Sequence, residues 1–466
     1  MARREGCRIA VIGAGFSGAM TAIHLLWRCR PGERVYLIER SGRIGPGVAY
    51  GSTHPRHLVN VRAENMSAFA DEPEHFLHWL EQLPPEERAV AGERTIAGTF
   101  VRRSIYGRYI QDLLREAITR QDGADNLFLI ADQATGVRRV EGGLQLATAS
   151  GRNYEVDAIV LALGNLLPER TPLPGYLPSP WVRGFTQGLV PDQPVVLLGT
   201  GLTMADTALA LFADGFEGPV HAISRRGLLP LGHGPSVAWP ELRLDVEDRR
   251  SLLALFCAVR REVRRAQAQG VGWRAVIDAL RPHAQLLWQE MALADKQRFL
   301  RHVRPYWDVH RHRMAPTAAA TLASLRAADA LRIETGRITG LRPEGKQIEV
   351  SWTPRRATGT RSLLAQRVID CTGLATDYAA LSDPLIRQLL DEGMVRPAAM
   401  RLGLDCSRHG NLIAAEGEPS RELYAVGPIT RGALWEIIAV PEIRSQAEQV
   451  AISVLATARG LSAAAA

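Results

Sequence analysis

No two of the five cysteines (Cys7, Cys29, Cys257, Cys371 and Cys406) stand in a C-x-x-C pair. That excludes the dithiol of a disulfide reductase and the paired ligands of a zinc ribbon, so no metal site is expected. Five unpaired thiols suit a reducing compartment. No apolar run reaches the roughly 20 residues that a membrane helix needs. The opening MARREGCRIAVIGAGFSGAM has a charged start and an apolar middle, but no small-x-small cleavage site follows it. The expected location is the cytoplasm, with no membrane partner. A net charge of +7 and a pI near 9.4 come from arginines scattered among acids. The run Arg260, Arg261, Arg264 and Arg265 has helical spacing but no interleaved aromatics. It reads as a solvated helix face, and no nucleic acid is expected as a partner.

What is present is an ordinary globular balance, 46% apolar and 23% charged over 466 residues, with 42 glycines for tight turns. The length suits two to four domain-sized units. Cys7–Ile12, Phe16–Arg28 and Val35–Ile38 read as strand, helix and strand around a glycine turn. A helix follows from about Glu74 to Leu83, then an antiparallel meander from about Asn126 to Tyr154, and the buried strand 157–165. At Pro194 the theme restarts, with strand, helix Leu202–Ala213 and strand. Residues 240–330 read as helical, with a break at Gly270. A second meander then closes on RVIDCTG. Each half thus runs fingerprint, meander, and an apolar strand ending in Gly164 or Gly373.

The first fingerprint is Gly13-Ala14-Gly15-Phe16-Ser17-Gly18. Gly13 permits the strand-to-helix turn, Gly15 lets backbone approach a pyrophosphate, and Gly18 lets the helix close on the strand. The phosphates then meet free N–H groups and the positive end of the helix dipole. Glu39, followed by Arg40, ends the next strand, where a carboxylate accepts from ribose hydroxyls. The second fingerprint is Gly199-Thr200-Gly201-Leu202-Thr203-Met204, with a methionine in the third glycine position. Glu39 lies 26 residues after Gly13, and Arg225 lies 26 residues after Gly199. One geometric position therefore carries an acid in the first half and an arginine in the second. Arg225 and Arg226 suit a 2′-phosphate that a glutamate would repel. The reading is FAD in the first site and NADPH in the second, with NADH as the alternative nicotinamide cofactor. The competing reading leaves both arginines merely solvated.

The segments VIGAGFSG, GPGVAYGSTHPRHLVNVRAENMSAF, FVRRSIYGRY, LGTGLTMADTAL, SRRGLLP, RPYWDVHRHRMAP, IDCTGL and LYAVGPITRGALWEIIAVPEIRSQA span about residues 8–447. Together they resemble the flavin-containing monooxygenase-type group. More narrowly, they resemble bacterial FAD/NAD(P)-binding proteins that include one type of FAD-dependent urate hydroxylase. In flavin-containing monooxygenases a similar N…MS…D-x-P stretch places an asparagine amide beside the flavin. The resemblance puts Asn60 in that catalytic and cofactor-binding place, with Met66, Ser67, Asp71 and Pro73 following after one extra residue. An amide donates and accepts there without titrating. The alternative is a turn asparagine capping its own loop. The F-x-G-x-x-x-H signature of the wider group is incomplete: WVRGFTQGLVPD lacks the histidine.

RPYWDVHRHRMAP offers Tyr306, Arg311 and Arg313 as a wall for an anionic substrate. Equally, the segment joins the helical stretch to the second meander through ion pairs. In the resembled fold a helix starting after Gly427 faces the flavin, which makes Gly427, Thr430 and Gly432 to Leu434 candidate backbone contacts. Pro441 would kink that helix, and Trp435 reads as core.

The expected fold is α/β, two Rossmann-like dinucleotide-binding domains of the flavin monooxygenase type with a helical insert. The FAD domain is expected at 1–190 and 374–466, the NAD(P)H domain at 191–237 and 326–373, and the insert at 238–325. The expected activity is an NAD(P)H-consuming monooxygenase that uses molecular oxygen on a small polar molecule. The resemblance names urate, converted to 5-hydroxyisourate. N-hydroxylation of an amine or amino acid is the first alternative, and a nucleotide-binding sensory protein without turnover the second.

Overall fold

The computed structural model describes residues 6–88, 96–120, 126–170, 172–182, 184–235, 237–240 and 242–460. The chain divides into two compact units. One holds the described residues of 1–53, 61–166 and 375–466, the other 54–60 and 167–374.

In the first unit, short continuous apolar runs become strands of a six-stranded sheet, as expected of strands covered on both faces. Its order is Asn411–Ile413, Pro419–Ala425, Ala158–Leu161, Arg8–Ile12, Arg34–Ile38 and Leu127–Ile130. All neighbours pair in parallel except the first two. The helix Phe16–Leu26 is buried along its whole length, because Arg103–Arg120 and Val440–Ala458 pack against it. Full burial of Met20, Ile23 and Leu25 contributes about 1.5–3 kcal/mol each. The strands Ala134–Val140, Gly143–Thr148 and Asn153–Val156 form a separate antiparallel sheet.

Two expectations change here. Leu127–Ile130 is not part of the meander: its unbroken LFLI run pairs in parallel with Arg34–Ile38, and alternation begins only at Ala134. Pro441 does not kink a helix. It sits in the first turn of Val440–Ala458, where its missing N–H and fixed φ cost nothing.

The second unit holds a seven-stranded sheet in the order Arg361–Ala365, Gln347–Pro354, Leu331–Glu344, Val220–Ser224, Val195–Leu198, Arg367–Asp370 and Tyr176–Leu177. The long strand Leu331–Glu344 pairs in parallel with Val220–Ser224 and antiparallel with Gln347–Pro354, with a register shift between Ile338 and Gly340. The second meander and the parallel sheet are therefore continuous. Tyr176–Leu177 pairs with Arg367–Asp370, so the chain leaves the first unit at Leu166 and not near residue 190. The helical stretch runs from Val246–Arg249 to Pro316–Ala327 and breaks at Gly270, whose φ is +75°. Arg260, Arg261 and Arg264 face solvent on it, whereas Arg265 pairs with the buried Glu262 and lies over Trp239. Among the described residues no helix is long and apolar enough to cross a membrane.

His24, on the helix Phe16–Leu26, is 4% exposed and lies edge-on to Trp27 and Phe69. Burial pushes its pKa from 6.5 down to about 4, with Arg28 adding to the effect and Glu448 and Asp71 opposing it. The folded protein therefore keeps this ring neutral, while the unfolded chain protonates it first. Its contribution is complete above pH 6.5 and is lost as pH falls toward 4. Thermal midpoints recorded across that window will fall less steeply for His24→Gln than for the wild type, whatever the offset at neutral pH. Parallel slopes would show that His24 is not the group responsible.

Candidate functional site

Each unit carries a glycine turn at the carboxyl end of its parallel strands, where ligands bind in open α/β sheets. In the first unit the chain leaves Arg8–Ile12 through Gly13 at φ +98°, and the Gly13 N–H donates to Ile38 O at 2.8 Å. A Cβ on Gly18 would lie 1.8 Å from Gly13 O, so only glycine allows this packing of helix on turn. Gly15 faces Gly47, where a Cβ on Gly47 would come 2.9 Å from Gly15 Cα, and Gly45 N–H donates to Ala14 O at 2.7 Å. The loop 45–47 thus closes against the turn backbone to backbone.

Helix Phe16–Leu26 has no side-chain cap at Gly15 and no acid in its first turn, which leaves its leading N–H groups to an anion. Glu39 is held in place by Ala14 N–H at 2.9 Å on one oxygen, and by Ser41 N–H and Oγ at 3.0 and 2.8 Å on the other. Arg40 extends to within 3.9 Å of Asp383. Phe16 lies edge-on to Tyr50 and tilted to Tyr106. The donor set and the glycine cradle fit the pyrophosphate and ribose of FAD.

The second unit repeats this arrangement. Gly199, at φ +100°, donates its N–H to Ile223 O at 2.7 Å, and a Cβ there would lie 2.8 Å from Cys371 O. Helix Leu202–Ala213 starts at Gly201 without a side-chain cap or an early acid. A Cβ on Gly201 would meet nothing within 4 Å, so this cradle is open. Met204, fully buried, fills the space that the missing glycine would leave. Thr203 uses its carbonyl to accept from Thr207 Oγ1 at 2.6 Å.

The loop after Val220–Ser224 is braced by residues that sequence reading did not single out. Thr200 Oγ1 donates to Leu228 O at 2.6 Å and lies 2.8 Å from Ser224 Oγ, which accepts from Gly227 N–H at 3.0 Å. Only the serine directly before the arginine pair hinted at this. On the braced loop, Arg225 is exposed and makes no hydrogen bond or ion pair among the described residues. Arg226 lies over the Tyr306 ring at 5.6 Å and donates to Arg301 O at 3.3 Å. The cradle and a free Arg225 fit the pyrophosphate and 2′-phosphate of NADPH.

Gly164 and Gly373 lie three residues beyond the strands Ala158–Leu161 and Arg367–Asp370, which end earlier than the sequence suggests, with φ of +62° and +112° and open space where a Cβ would stand. Gly164 O accepts from Tyr378 OH at 3.3 Å. Beside Gly373, the 5% exposed Asp370 accepts from Tyr176 OH at 2.8 Å and from Thr372 N–H and Oγ1 at 2.8 and 2.5 Å. Burial and this carboxylate push the Tyr176 phenol well up, so it acts as a fixed donor.

Several candidates are placed differently from expectation. The helix that starts after Gly427 is a single 3-10 turn, Pro428–Thr430, not an α-helix, and the next α-helix begins only at Val440. The N–H groups of Thr430, Ala433 and Leu434 are already bonded inside that turn, at 2.9, 3.1 and 2.9 Å. Gln446 takes the Gly427 N–H at 2.8 Å and donates to Thr430 Oγ1 at 3.1 Å. The region is a self-satisfied buried turn, and its contact with Ser17 is steric: a Cβ on Gly427 would stand 2.3 Å from Ser17 Oγ. Of the anionic-substrate wall, Arg313 is 4% exposed and ion-paired with Asp278, Arg311 is 7% exposed, and Tyr306 lies under Arg226. The ion-pair reading of this segment describes Arg313.

Asn60 belongs to the second unit, and its carbonyl accepts from His233 Nε2 at 3.0 Å. Ser67, downstream, closes a turn: its Oγ donates to Glu72 O at 2.6 Å and its carbonyl accepts from Arg444 at 2.7 Å. No cluster of three His, Cys, Asp or Glu side chains suited to a metal occurs among the described residues. Burial pushes the thiols of Cys7, Cys371 and Cys406 up to about 12 and that of Cys29 up to about 11. None of these four is a ready thiolate.

Two glycine cradles, one backed by an acid and the other by an arginine, define a flavoprotein fold with two dinucleotide-binding units. A sequence profile described as FAD-NAD(P)-binding matches residues 10–166, the stretch that holds the first cradle. A Mycobacterium tuberculosis protein is 20% identical, over 96% of this chain and 95% of its own. Among solved structures, the ornithine N-hydroxylase of Kutzneria sp. 744, in complex with reduced FAD, NADP+ and L-ornithine, superimposes with a TM-score of 0.64 at 14% identity. It covers 97% of this chain and 99% of that one. The L-lysine 6-monooxygenase of Pseudomonas syringae gives 0.58 at 15% identity, with coverage of 97% and 99%. At such identities the likeness establishes the fold alone, an α/β fold with two dinucleotide-binding units.

The two cradles respond differently to a methyl group. Gly18→Ala drives its Cβ into Gly13 O and is expected to lower flavin retained per protein by about tenfold or more, read from flavin absorbance after purification. Gly201→Ala meets only open space in the protein, so it is expected to fold and keep flavin while its KM for the nicotinamide cofactor rises. A Gly201→Ala enzyme with unchanged KM would remove the second cradle from phosphate binding.

Proposed function

We propose that this protein is an FAD-dependent, NADPH-consuming N-hydroxylase of a small amine or amine-bearing amino acid. The observation that carries the reading is the likeness along nearly the whole chain to amine hydroxylases, joined to a second cradle that ends in Arg225, which is unpaired among the described residues. The overall change balances as amine, oxygen, NADPH and a proton giving hydroxylamine, NADP+ and water. Bound FAD supplies the carrier that passes two electrons from nicotinamide to oxygen.

The chain's own residues bind and orient. The Gly13–Gly18 turn and Glu39 hold the flavin nucleotide, and the Gly199–Gly201 turn holds the pyrophosphate of NADPH. Arg225 pairs with the 2′-phosphate, and Asn60 is the candidate catalytic amide, a group that donates and accepts without titrating. Amine chemistry takes precedence over urate because the structural relatives named above act on ornithine and lysine. The placement of Arg313 against Asp278 also removes one cation from the proposed anionic wall. A disulfide reductase is disfavoured by the absence of a C-x-x-C pair and by the burial of Cys7, Cys371 and Cys406.

The deciding assay is aerobic NADPH oxidation by the FAD-loaded protein with ornithine, lysine or urate, scoring hydroxylamine, 5-hydroxyisourate and hydrogen peroxide. An amine that speeds oxidation and yields hydroxylamine sustains the proposal; urate-dependent turnover without amine turnover reverses it. Arg225→Ala is expected to raise the KM for NADPH about ten- to a hundredfold, the range of one charge-assisted contact, and to leave that for NADH in place. Equal effects on both cofactors would disprove the 2′-phosphate role.

A further inference from the structure

The two units differ at one buried position of otherwise matching geometry. Ile12, the residue before Gly13, pairs across the sheet with Leu161, and Leu198, the residue before Gly199, pairs in the same way with Asp370. Leu161 is fully buried in an apolar core, whereas Asp370 is a carboxylate and only 5% exposed. Taking a carboxylate out of water is costly unless it is paired and hydrogen-bonded. The first unit builds its parallel sheet and glycine turn with a leucine in that place, so the fold itself does not require the acid.

The bonds of Asp370 lead to the glycine turn. A Cβ on Gly199 would stand 2.8 Å from Cys371 O, 3.0 Å from its carbonyl carbon and 3.3 Å from Thr372 Cα, so the turn rests on the peptide that joins Cys371 to Thr372. Asp370 Oδ1 accepts from the N–H of that same peptide at 2.8 Å and from Thr372 Oγ1 at 2.5 Å. Its other oxygen accepts from Tyr176 OH at 2.8 Å and lies 3.4 Å from Arg170 Nε. Tyr176 stands on the neighbouring strand, paired with Val368. In the first unit the Gly13 turn rests in the same manner on the peptide of Ala162 and Leu163, whose carbonyl carbon and Cα would lie 2.9 and 3.4 Å from a Cβ on Gly13. There Gly18 lets helix Phe16–Leu26 close on the turn. Met204 carries a side chain at the matching place, so helix Leu202–Ala213 cannot close on Gly199 so tightly.

We propose that Asp370 is a positioning residue for the nicotinamide cofactor: by holding the Cys371–Thr372 peptide it fixes the seat of the Gly199 turn, and with it the aim of the N–H groups that open helix Leu202–Ala213. The proposal rests on the reading of that cradle as the NADPH site. A peptide is planar, so anchoring its N–H also sets where its carbonyl points. Asp370 thus does by hydrogen bonding what Gly18 does by close packing in the first unit. The motif IDCTGL then acts on the cofactor without touching it. Because the pyrophosphate is common to NADPH and NADH, Asp370 serves both alike, whereas Arg225 serves only the 2′-phosphate.

The test uses the full-length, FAD-loaded protein and two independent readouts. The first is the dissociation constant of NADP+ by calorimetry. The second is anaerobic flavin reduction by NADPH and by NADH, resolved into a half-saturating concentration and a limiting rate. Asp370→Leu installs the residue of the first unit. It is expected to weaken NADP+ and to raise half-saturation by NADPH and NADH alike, about tenfold, the factor that one or two hydrogen bonds support, while the limiting rate moves less than about twofold. Asp370→Asn keeps an oxygen that accepts from Thr372 N–H and is expected to recover wild-type affinity to within about twofold. Thr372→Val keeps the shape of the side chain and deletes the hydroxyl bond alone. Its expected loss is about threefold, and it carries the test should Asp370→Leu not fold. Gly201→Ala, measured alongside, separates two failures. If Gly201→Ala weakens NADP+ while Asp370→Leu and Thr372→Val bind it as the wild type does, the positioning role is overturned and the cradle reading stands. If none of the three changes the affinity, the reading of the second cradle fails, and the proposal with it. An Asp370→Asn protein as weak as Asp370→Leu would show that the charge matters and not the bond to Thr372, which also overturns the proposal.

Discussion

The first nucleotide cradle depends on one constraint, the approach of a helix to a turn with no side chain between them. Gly18 against Gly13 O, and Gly15 against Gly47, leave no volume for a Cβ. Because the helix starts with neither a capping side chain nor an early acid, its first N–H groups and its dipole stay directed at a ligand. An uncapped helix start is a local loss of stability, which the fully buried helix Phe16–Leu26 offsets through its packing.

The second unit solves the same problem with different atoms. The bond from Gly199 N–H to Ile223 O, at 2.7 Å, matches that from Gly13 to Ile38, at 2.8 Å. A single position then inverts the chemistry: Glu39 is held by three donors, one on the glycine turn and two on Ser41, whereas Arg225 makes no hydrogen bond or ion pair among the described residues. A carboxylate engaged in that way can still accept from ribose hydroxyls. A guanidinium left free at a strand end suits a phosphate that arrives with its ligand. The Thr200–Ser224–Leu228 bonds hold the loop still, so that the arginine pair is presented from a fixed base.

Much of the remaining polar chemistry serves to hold loops and not to react. Gln446 satisfies the Gly427 turn, Asp370 gathers Tyr176 and Thr372 beyond the strand Arg367–Asp370, and Asp278 takes the charge of Arg313. Buried polar groups are tolerated only when so paired, and once paired they fix geometry that apolar packing alone would leave loose. Several residues that invited a functional reading in isolation, Thr430 and Arg313 among them, belong to this supporting set.

The α/β class, the two cradles, the helix Leu202–Ala213 and the contrast of Glu39 with Arg225 were all legible in the sequence. Each is a local pattern of strand, glycine turn and helix within about 30 residues, set by φ-angle sterics and hydrophobic period. Other features were decided by contacts between distant segments, which no local period encodes. Leu127–Ile130 joined the parallel sheet because an edge beside Arg34–Ile38 was open to it. Pro441 came to stand in the first turn of a helix because that helix begins only at Val440, with nine residues separating it from the turn Pro428–Thr430. Asn60 was readable as a candidate amide, but its place in the second unit and its bond to His233 join residues 173 apart in sequence. A hydrogen bond at that separation exists only once the sheets have formed, and for that reason the tertiary structure alone decided what holds Asn60 in place.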